Sequence, residues 1–287
     1  MSLLVQNLFT GLTYGMILFL IAAGLSIVIG IMGITNLAHG ALYMIGAYVG
    51  WTVAVKYHLN YLVAALAGGL AAAVIGLFIQ VVFLNRLYKQ PNEQVLLTFG
   101  FIFILATSTR AVWGATFKMQ YTHPALFKTV EIGGIPFSLG RIAILVVGFV
   151  IAALLWYVQD RTRMGAIVRA GMDDKEMIMG LGVNLPLVSL VVFFMASFIA
   201  GLGGVLGSQL VGPNLGMGTD ILLLALVVTI VGGVGSVQGA LLGGLLIGVI
   251  DTLGKVYIHQ IGSFTIYLAM VIILLVRPRG LLGREVG

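Results

Sequence analysis

Apolar positions run through this chain in long unbroken blocks, and the polar positions between them are few and grouped. Residues 1–55 carry no charged side chain; the first is Lys56. Further charge-free stretches run from Tyr57 to Asn85, Gln94 to Thr109, Ile142 to Gln159, Met177 to Thr219, Ile221 to Ile250 and Val256 to Val276. A membrane-spanning helix needs roughly 20 apolar residues. Cut at their turn signals, these stretches predict helices over about 5–31, 38–56, 61–84, 94–113, 139–158, 185–209, 217–234, 238–257 and 261–276. The pattern predicts an all-α polytopic membrane bundle of about eight or nine spans, in one domain over residues 1–287. Broken or re-entrant segments are expected at the glycine-rich stretches near 33–40 and 232–239.

Composition removes the other classes. Of 287 residues, 60% are hydrophobic and 8% charged, against about 25% charged in a soluble domain. One soluble core cannot hide so much apolar surface. A soluble enzyme, a disordered chain and a nucleic-acid binder are thereby excluded, and membrane lipid is the solvent for most of the chain. The net charge of +6 forms no basic stripe. Cysteine is absent, which leaves no disulfide framework and no thiolate metal site. Glycine, at 40 residues, is about twice the usual ~7%, as expected where membrane helices approach closely or break. The charge-free N-terminal stretch is too long for a signal peptide and lacks its basic lead, so it is expected to be retained in the membrane.

The basic residues orient the bundle. Arg86 and Lys89 flank one short loop; Arg161, Arg163, Arg169 and Lys175 lie in another; Arg277, Arg279 and Arg284 lie in the tail. The positive-inside rule puts all three on the cytoplasmic side. The segment 114–137, with Lys118, Lys128 and Glu131, then lies outside, and a nine-span count puts the N-terminus outside too.

A weak internal repeat fits this layout. Gly33-Ile34-Thr35-Asn36-Leu37-Ala38-His39-Gly40-Ala41-Leu42 and Gly232-Gly233-Val234-Gly235-Ser236-Val237-Gln238-Gly239-Ala240-Leu241 both open on glycine, pass a polar break and enter a new span. Transporter folds often carry such repeats. Polar groups inside apolar spans are costly. Asn36 and His39 in the first break, and Ser236 and Gln238 in the second, therefore either cap helix ends or line a translocation path. Asp220 is expected to cap the seventh span, and Asp251 to pair with Lys255 at i+4, a proton relay being the alternative for Asp251. Arg110 and Arg141 sit near outer ends and can snorkel. His58, His123 and His259 show no ligand spacing, so no metal and no cofactor are expected.

Residues 160–182 form the chain's hydrophilic island, with four of the nine acids and four of the fifteen bases. Met164, Ile167 and Val168, then Met177, Ile178 and Leu181, fall at helical spacing. Asp173 and Asp174 stand where an N-cap would start a short helix, with Glu176 as in a capping box, and Gly180 and Gly182 end it. The island is either a solvated orienting loop or a short cytoplasmic helix that docks into a groove on a partner. Being capped and patterned, it does not have the composition of a mere tether. No Gly-x-x-x-x-Gly-Lys-Ser/Thr run is present, so ATP hydrolysis is not expected of this chain. Composition and periodicity leave two readings open: the permease subunit of an ATP-driven importer, or a self-contained channel or secondary transporter for a small polar solute such as urea or an amide. An intramembrane enzyme lacks paired acids or metal ligands within the spans.

The island decides between them by resemblance. Thr162-Arg163-Met164-Gly165, Val168-Arg169-Ala170, Asp173-Asp174-Lys175-Glu176-Met177 and Gly182-Val183-Asn184 resemble the cytoplasmic coupling segment of branched-chain amino acid ATP-binding-cassette (ABC) importer permeases. The chain departs at Ile167 and Ile178, where that family often has Ala, and at Val183 for Ile. Gly11-Leu12-Thr13-Tyr14-Gly15, Ala22-Ala23-Gly24-Leu25-Ser26 and Gly33 to Gly40 are similar to the family's N-terminal signature, and Gly232 to Gly244 to its later glycine-rich segment. The likeness covers essentially the whole chain and is greatest to the LivH-type subunit. It implies transport of branched-chain (hydrophobic) amino acids across the bacterial inner membrane, without catalysis by this chain. The implied partners are two ATP-binding subunits, a second permease subunit (LivM-type, or a second copy) and a periplasmic substrate-binding protein. It also implies that the ATPases couple through Arg163, Gly165, Arg169, Asp173, Asp174, Glu176, Gly180 and Gly182.

Overall fold

The computed structural model describes residues 2–33, 35–87, 90–258 and 260–283. Ile34, Tyr88, Lys89, His259 and Arg284, named above, lie outside the described residues. The nine predicted spans are all helices: α1 (Ser2–Met32), α2 (His39–Trp51, continued by a π-turn over Thr52–Lys56), α3 (Tyr61–Val82), α4 (Pro91–Trp113), α5 (Leu139–Arg161), α8 (Leu185–Gly207), α9 (Met217–Gly232), α10 (Val237–Tyr257) and α11 (Thr265–Val276). Six of them, α1, α3, α4, α5, α8 and α10, are by themselves long and apolar enough to cross a membrane; α9 and α11 are shorter apolar helices. The chain is an all-α polytopic membrane protein.

α1 is the central helix. It is apolar on every side, and residues Met16 to Leu25 are buried without interruption. α10, α8, α9 and α5 pack around it, and α2, α3 and α8 form a second cluster beside it. Glycine sets both approaches. A Cβ on Gly248 of α10 would lie 2.4 Å from the Gly15 backbone of α1, and one on Gly46 of α2 would lie 2.2 Å from the Gly201 carbonyl of α8. Without water-driven burial between helices in lipid, such small-residue contacts supply the van der Waals packing that holds them. Large apolar side chains on the outward faces of α3, α4, α5 and α11, among them Phe78, Phe103, Leu154 and Leu275, are exposed as a lipid-facing surface requires.

The ends of the helices sort into two faces. Leu37 N–H donates to Thr98 Oγ1, Lys175 Nζ to the Met32 carbonyl, Gln159 Nε2 to the Gly235 carbonyl, and Leu281 N–H to the Val231 carbonyl. Both glycine-rich connections, the island and the C-terminal tail therefore share one end, here termed inner. Arg141 donates to Thr10 at the other end, so the beginning of α1 lies opposite the island. This is the layout that the basic loops predict. Among the described residues, the departure from helix is a hairpin in the outer segment, β1 (Thr129–Ile132) paired antiparallel with β2 (Ile135–Ser138). Gly133 and Gly134 turn it with φ of +61° and +77°, the left-handed pair a type I′ turn needs, and Phe137 packs edge-on to Phe9 of α1.

Candidate functional site

The island folds as two helices, α6 (Arg163–Asp173) and α7 (Lys175–Gly180). Each begins at a side-chain cap. Thr162 Oγ1 accepts from Gly165 N–H at 3.2 Å, and Asp174 Oδ1 accepts from Met177 N–H at 2.9 Å. Gly182, at φ +82°, ends the segment, and Asn184 Oδ1 caps α8 through Leu187 N–H. The capping role falls to Asp174 alone, since Asp173 is the last residue of α6, and Glu176 stands in the first turn of α7, where the helix dipole favours an acid.

α6 and α7 divide the labour. α6 lays Gly165, Val168 and Gly171, spaced three apart, against the bundle. Gly165 is there for space: a Cβ would lie 2.1 Å from the Gln159 carbonyl, so only glycine lets α6 fold back on the end of α5. Arg169 is half-buried, 3.6 Å from Asp160. α7 by contrast projects. Ile178 anchors it inward, while Met177 and Leu181 are 65% and 72% exposed, with Met179 beside them. Arg163, Asp173, Asp174, Glu176, Gly180 and Gly182 are exposed too. The surface left free is thus apolar anchors ringed by charge.

The segment is tied to both helix breaks. Lys175 Nζ donates to the Met32 carbonyl at 3.0 Å, satisfying an end group of α1 beside Gly33. Burial pushes the Lys175 pKa down from the usual lysine value. Met172 sits between the end of α1 and the second break: a Cβ on Gly30 would lie 2.6 Å from its methyl carbon, and one on Gly235 would lie 2.8 Å from its sulfur. Gln159 clasps the second break, donating to the Gly235 carbonyl at 2.8 Å and accepting from Val237 N–H at 3.3 Å. The second break is also bonded to α1 itself, Gly235 N–H donating to Ser26 Oγ at 2.8 Å.

Within the breaks the four polar residues differ. Asn36 is fully buried, and its Oδ1 accepts from Ala38 N–H at 3.1 Å. His39 is fully buried in α2, with Nε2 3.2 Å from the Ile21 carbonyl. A carbonyl can only accept, so that nitrogen carries the proton. Asn36 Nδ2 and His39 Nδ1 have no hydrogen-bond partner among the described residues. Buried polar atoms are rarely left so. Ser236 Oγ caps α10 through Gly239 N–H. Gln238 is exposed and donates to Asp160. Asp251 pairs with Lys255 at 2.7 Å, as its spacing predicts. Asp220 lies in the first turn of α9 without capping it, and no side chain caps that helix among the described residues.

Three residues in this arrangement escape the sequence reading: Gln159, Met172 and Lys175 as ties. The first two look like ordinary span-end and apolar positions, and only their partners across the bundle set them apart.

A family model described as "Branched-chain amino acid transport system / permease component" matches residues 7–276. The chain is 30% identical to the high-affinity branched-chain amino acid transport system permease protein BraD of Pseudomonas aeruginosa, over 97% of this chain and 95% of that protein. It is 29% identical to the corresponding permease protein LivH of Salmonella typhimurium and 28% to that of Escherichia coli, with the same coverage in both cases. Among solved structures, a chain of PsaBC from Streptococcus pneumoniae in complex with Fab aligns over 93% of this chain and 89% of that one, at a TM-score of 0.49 and 14% identity, too weak to bear on fold or function.

Proposed function

The chain belongs to the branched-chain amino acid transport system permease family, and from that premise we propose that it forms, with a second permease subunit, the membrane path of an ABC importer for branched-chain amino acids. The second subunit is of LivM type or another copy of this chain. Two ATP-binding subunits dock on the inner end, and a periplasmic binding protein delivers substrate to the outer end, in the bacterial inner membrane. The observation that carries this reading is the double attachment of α6–α7: free apolar anchors on one side, and Lys175, Met172 and Gln159 on the two helix breaks on the other. Residues Arg163, Arg169, Asp173, Asp174, Glu176, Gly180 and Gly182 form or support the docking face, and Gly165 permits the fold that presents it.

Mechanically, closure of the ATPase pair displaces α7. Because α7 begins at Lys175, bonded to the end of α1 just before the first break, and α6 ends beside Met172, wedged between the end of α1 and the second break, that displacement is delivered to residues 33–38 and 233–236 rather than dissipated in a loop. Asn36 and His39 then change surroundings with their break. A ligand or nucleotide shifts such an equilibrium only by its differential contacts with the two states, and the docked helix is where the ATPases make theirs. Few buried charges line the bundle, which leaves selectivity mainly to the binding protein.

The test is reconstitution into liposomes. Leucine accumulation should require this chain, its permease partner, the ATPases with ATP, and the binding protein together. Leucine or urea flux through this chain alone without ATP would favour the channel or secondary-transporter reading.

A further inference from the structure

At the outer end a cavity of about 670 Å³ opens between α1, α5 and α10, within the roughly 300–1,000 Å³ of small-molecule sites. A second, of about 200 Å³, shares Tyr14, Leu210 and Val211 with it. Three charges line the larger one: Arg141 of α5, and Asp251 and Lys255 of α10. Asp251 is only 3% exposed. Its Oδ2 takes Lys255 Nζ at 2.7 Å, and its Oδ1 has no hydrogen-bond partner among the described residues. An unpaired carboxylate oxygen at such a site is costly unless a cation or donor meets it. Lys255 stands 5.9 Å over the Tyr14 ring. Arg141 spends one donor on the Thr10 hydroxyl and meets no carboxylate within 4 Å among the described residues. Its fork of five N–H groups is therefore largely uncommitted. Apolar side chains, Leu210, Val211 and Val256 among them, complete the wall.

We propose that this outer cavity receives the substrate as an α-amino acid zwitterion. The Arg141 guanidinium takes the carboxylate, the geometry it suits best, and the Asp251 carboxylate beside Lys255 takes the ammonium. The aliphatic side chain lies along Leu210, Val211 and the Tyr14 ring. The cavity is then the first station in the membrane after release from the binding protein. This assignment rests on the transport reading and adds to it the residues that hold the charged ends.

The experiment uses the complete reconstituted complex with its binding protein and compares leucine accumulated per ATP hydrolysed. Arg141→Gln and Asp251→Asn should each lower that ratio roughly tenfold or more, the scale of one charge-assisted hydrogen bond. Stimulation of the ATPase by the binding protein should stay within about twofold of wild type, since the docking face and the breaks are untouched, and Arg141→Lys should recover part of the ratio by keeping the charge. Unchanged ratios in both variants would overturn the assignment. So would a parallel fall of accumulation and ATPase stimulation in both, which marks a structural role. A wild-type complex that moves no amino acid would contradict the transport reading itself, separately from the cavity.

Discussion

At the scale of single residues, space decides more than charge. Gly46 and Gly100 are indistinguishable in sequence, each a glycine in an apolar helix. A Cβ on Gly46 meets the Gly201 carbonyl at 2.2 Å, whereas one on Gly100 meets nothing within 4 Å. Gly46→Ala should therefore cost about 1–3 kcal/mol by overpacking. Gly100→Ala should be neutral or stabilise by up to ~1 kcal/mol through helix propensity. Thermal unfolding of the detergent-solubilised protein separates them, and equal midpoints would contradict the packing described. The abundance of glycine is legible in the sequence; which glycines carry helix crossings is not, because that depends on the partner backbone. Asp251 and Lys255 show the opposite case. Their pairing follows from i+4 spacing alone, while the free second oxygen of Asp251 and its common cavity with Arg141 needed the third dimension.

At the scale of elements, the island divides where its caps fall. Thr162 and Asp174 start two helices where the amphipathic pattern alone suggested one capped at Asp173 or Asp174. The pattern could not say which apolar positions turn inward: Ile178 is buried and its neighbours Met177 and Met179 are exposed, a choice made by packing against the bundle. Asp174→Ala should remove the cap at a cost of about 0.5–2 kcal/mol, enough to fray a helix of six residues and weaken binding of the ATPase several-fold. Asp174→Asn keeps the accepting oxygen and should restore binding. Quantitative pull-down of the ATPase measures both; failure of Asn to rescue would show that the charge of Asp174, not its cap, matters. The hairpin over residues 129–138 is the element that the hydrophobic pattern passes over. Its strands are four residues each, too short to show alternation, and only the Gly133-Gly134 pair signals the turn.

At the scale of the molecule, the apolar blocks map onto nine helices with end residues shifted by a few positions. The basic loops lie at one end, as the charge count requires. This much is legible because lipid forces each spanning segment to satisfy its own backbone. What joins the ends to each other is not, since Gln159, Met172 and Lys175 reach partners 76, 63 and 143 residues away. The central claim is that α7 is the handle by which a partner ATPase moves both helix breaks. Deleting the island would test it poorly, because α6 is packed into the bundle. The exposed anchors offer a cleaner route. Met177→Glu, Met179→Glu and Leu181→Glu, combined in one chain, leave the buried face of α6, Ile178 and the Lys175 tie in place. Co-purification of the ATPase with this variant from membranes is the direct measurement. The account predicts that the variant inserts at wild-type levels and loses ATPase association by roughly tenfold or more, as removal of the central anchors of an interface does. Wild-type association of the triple variant would contradict it.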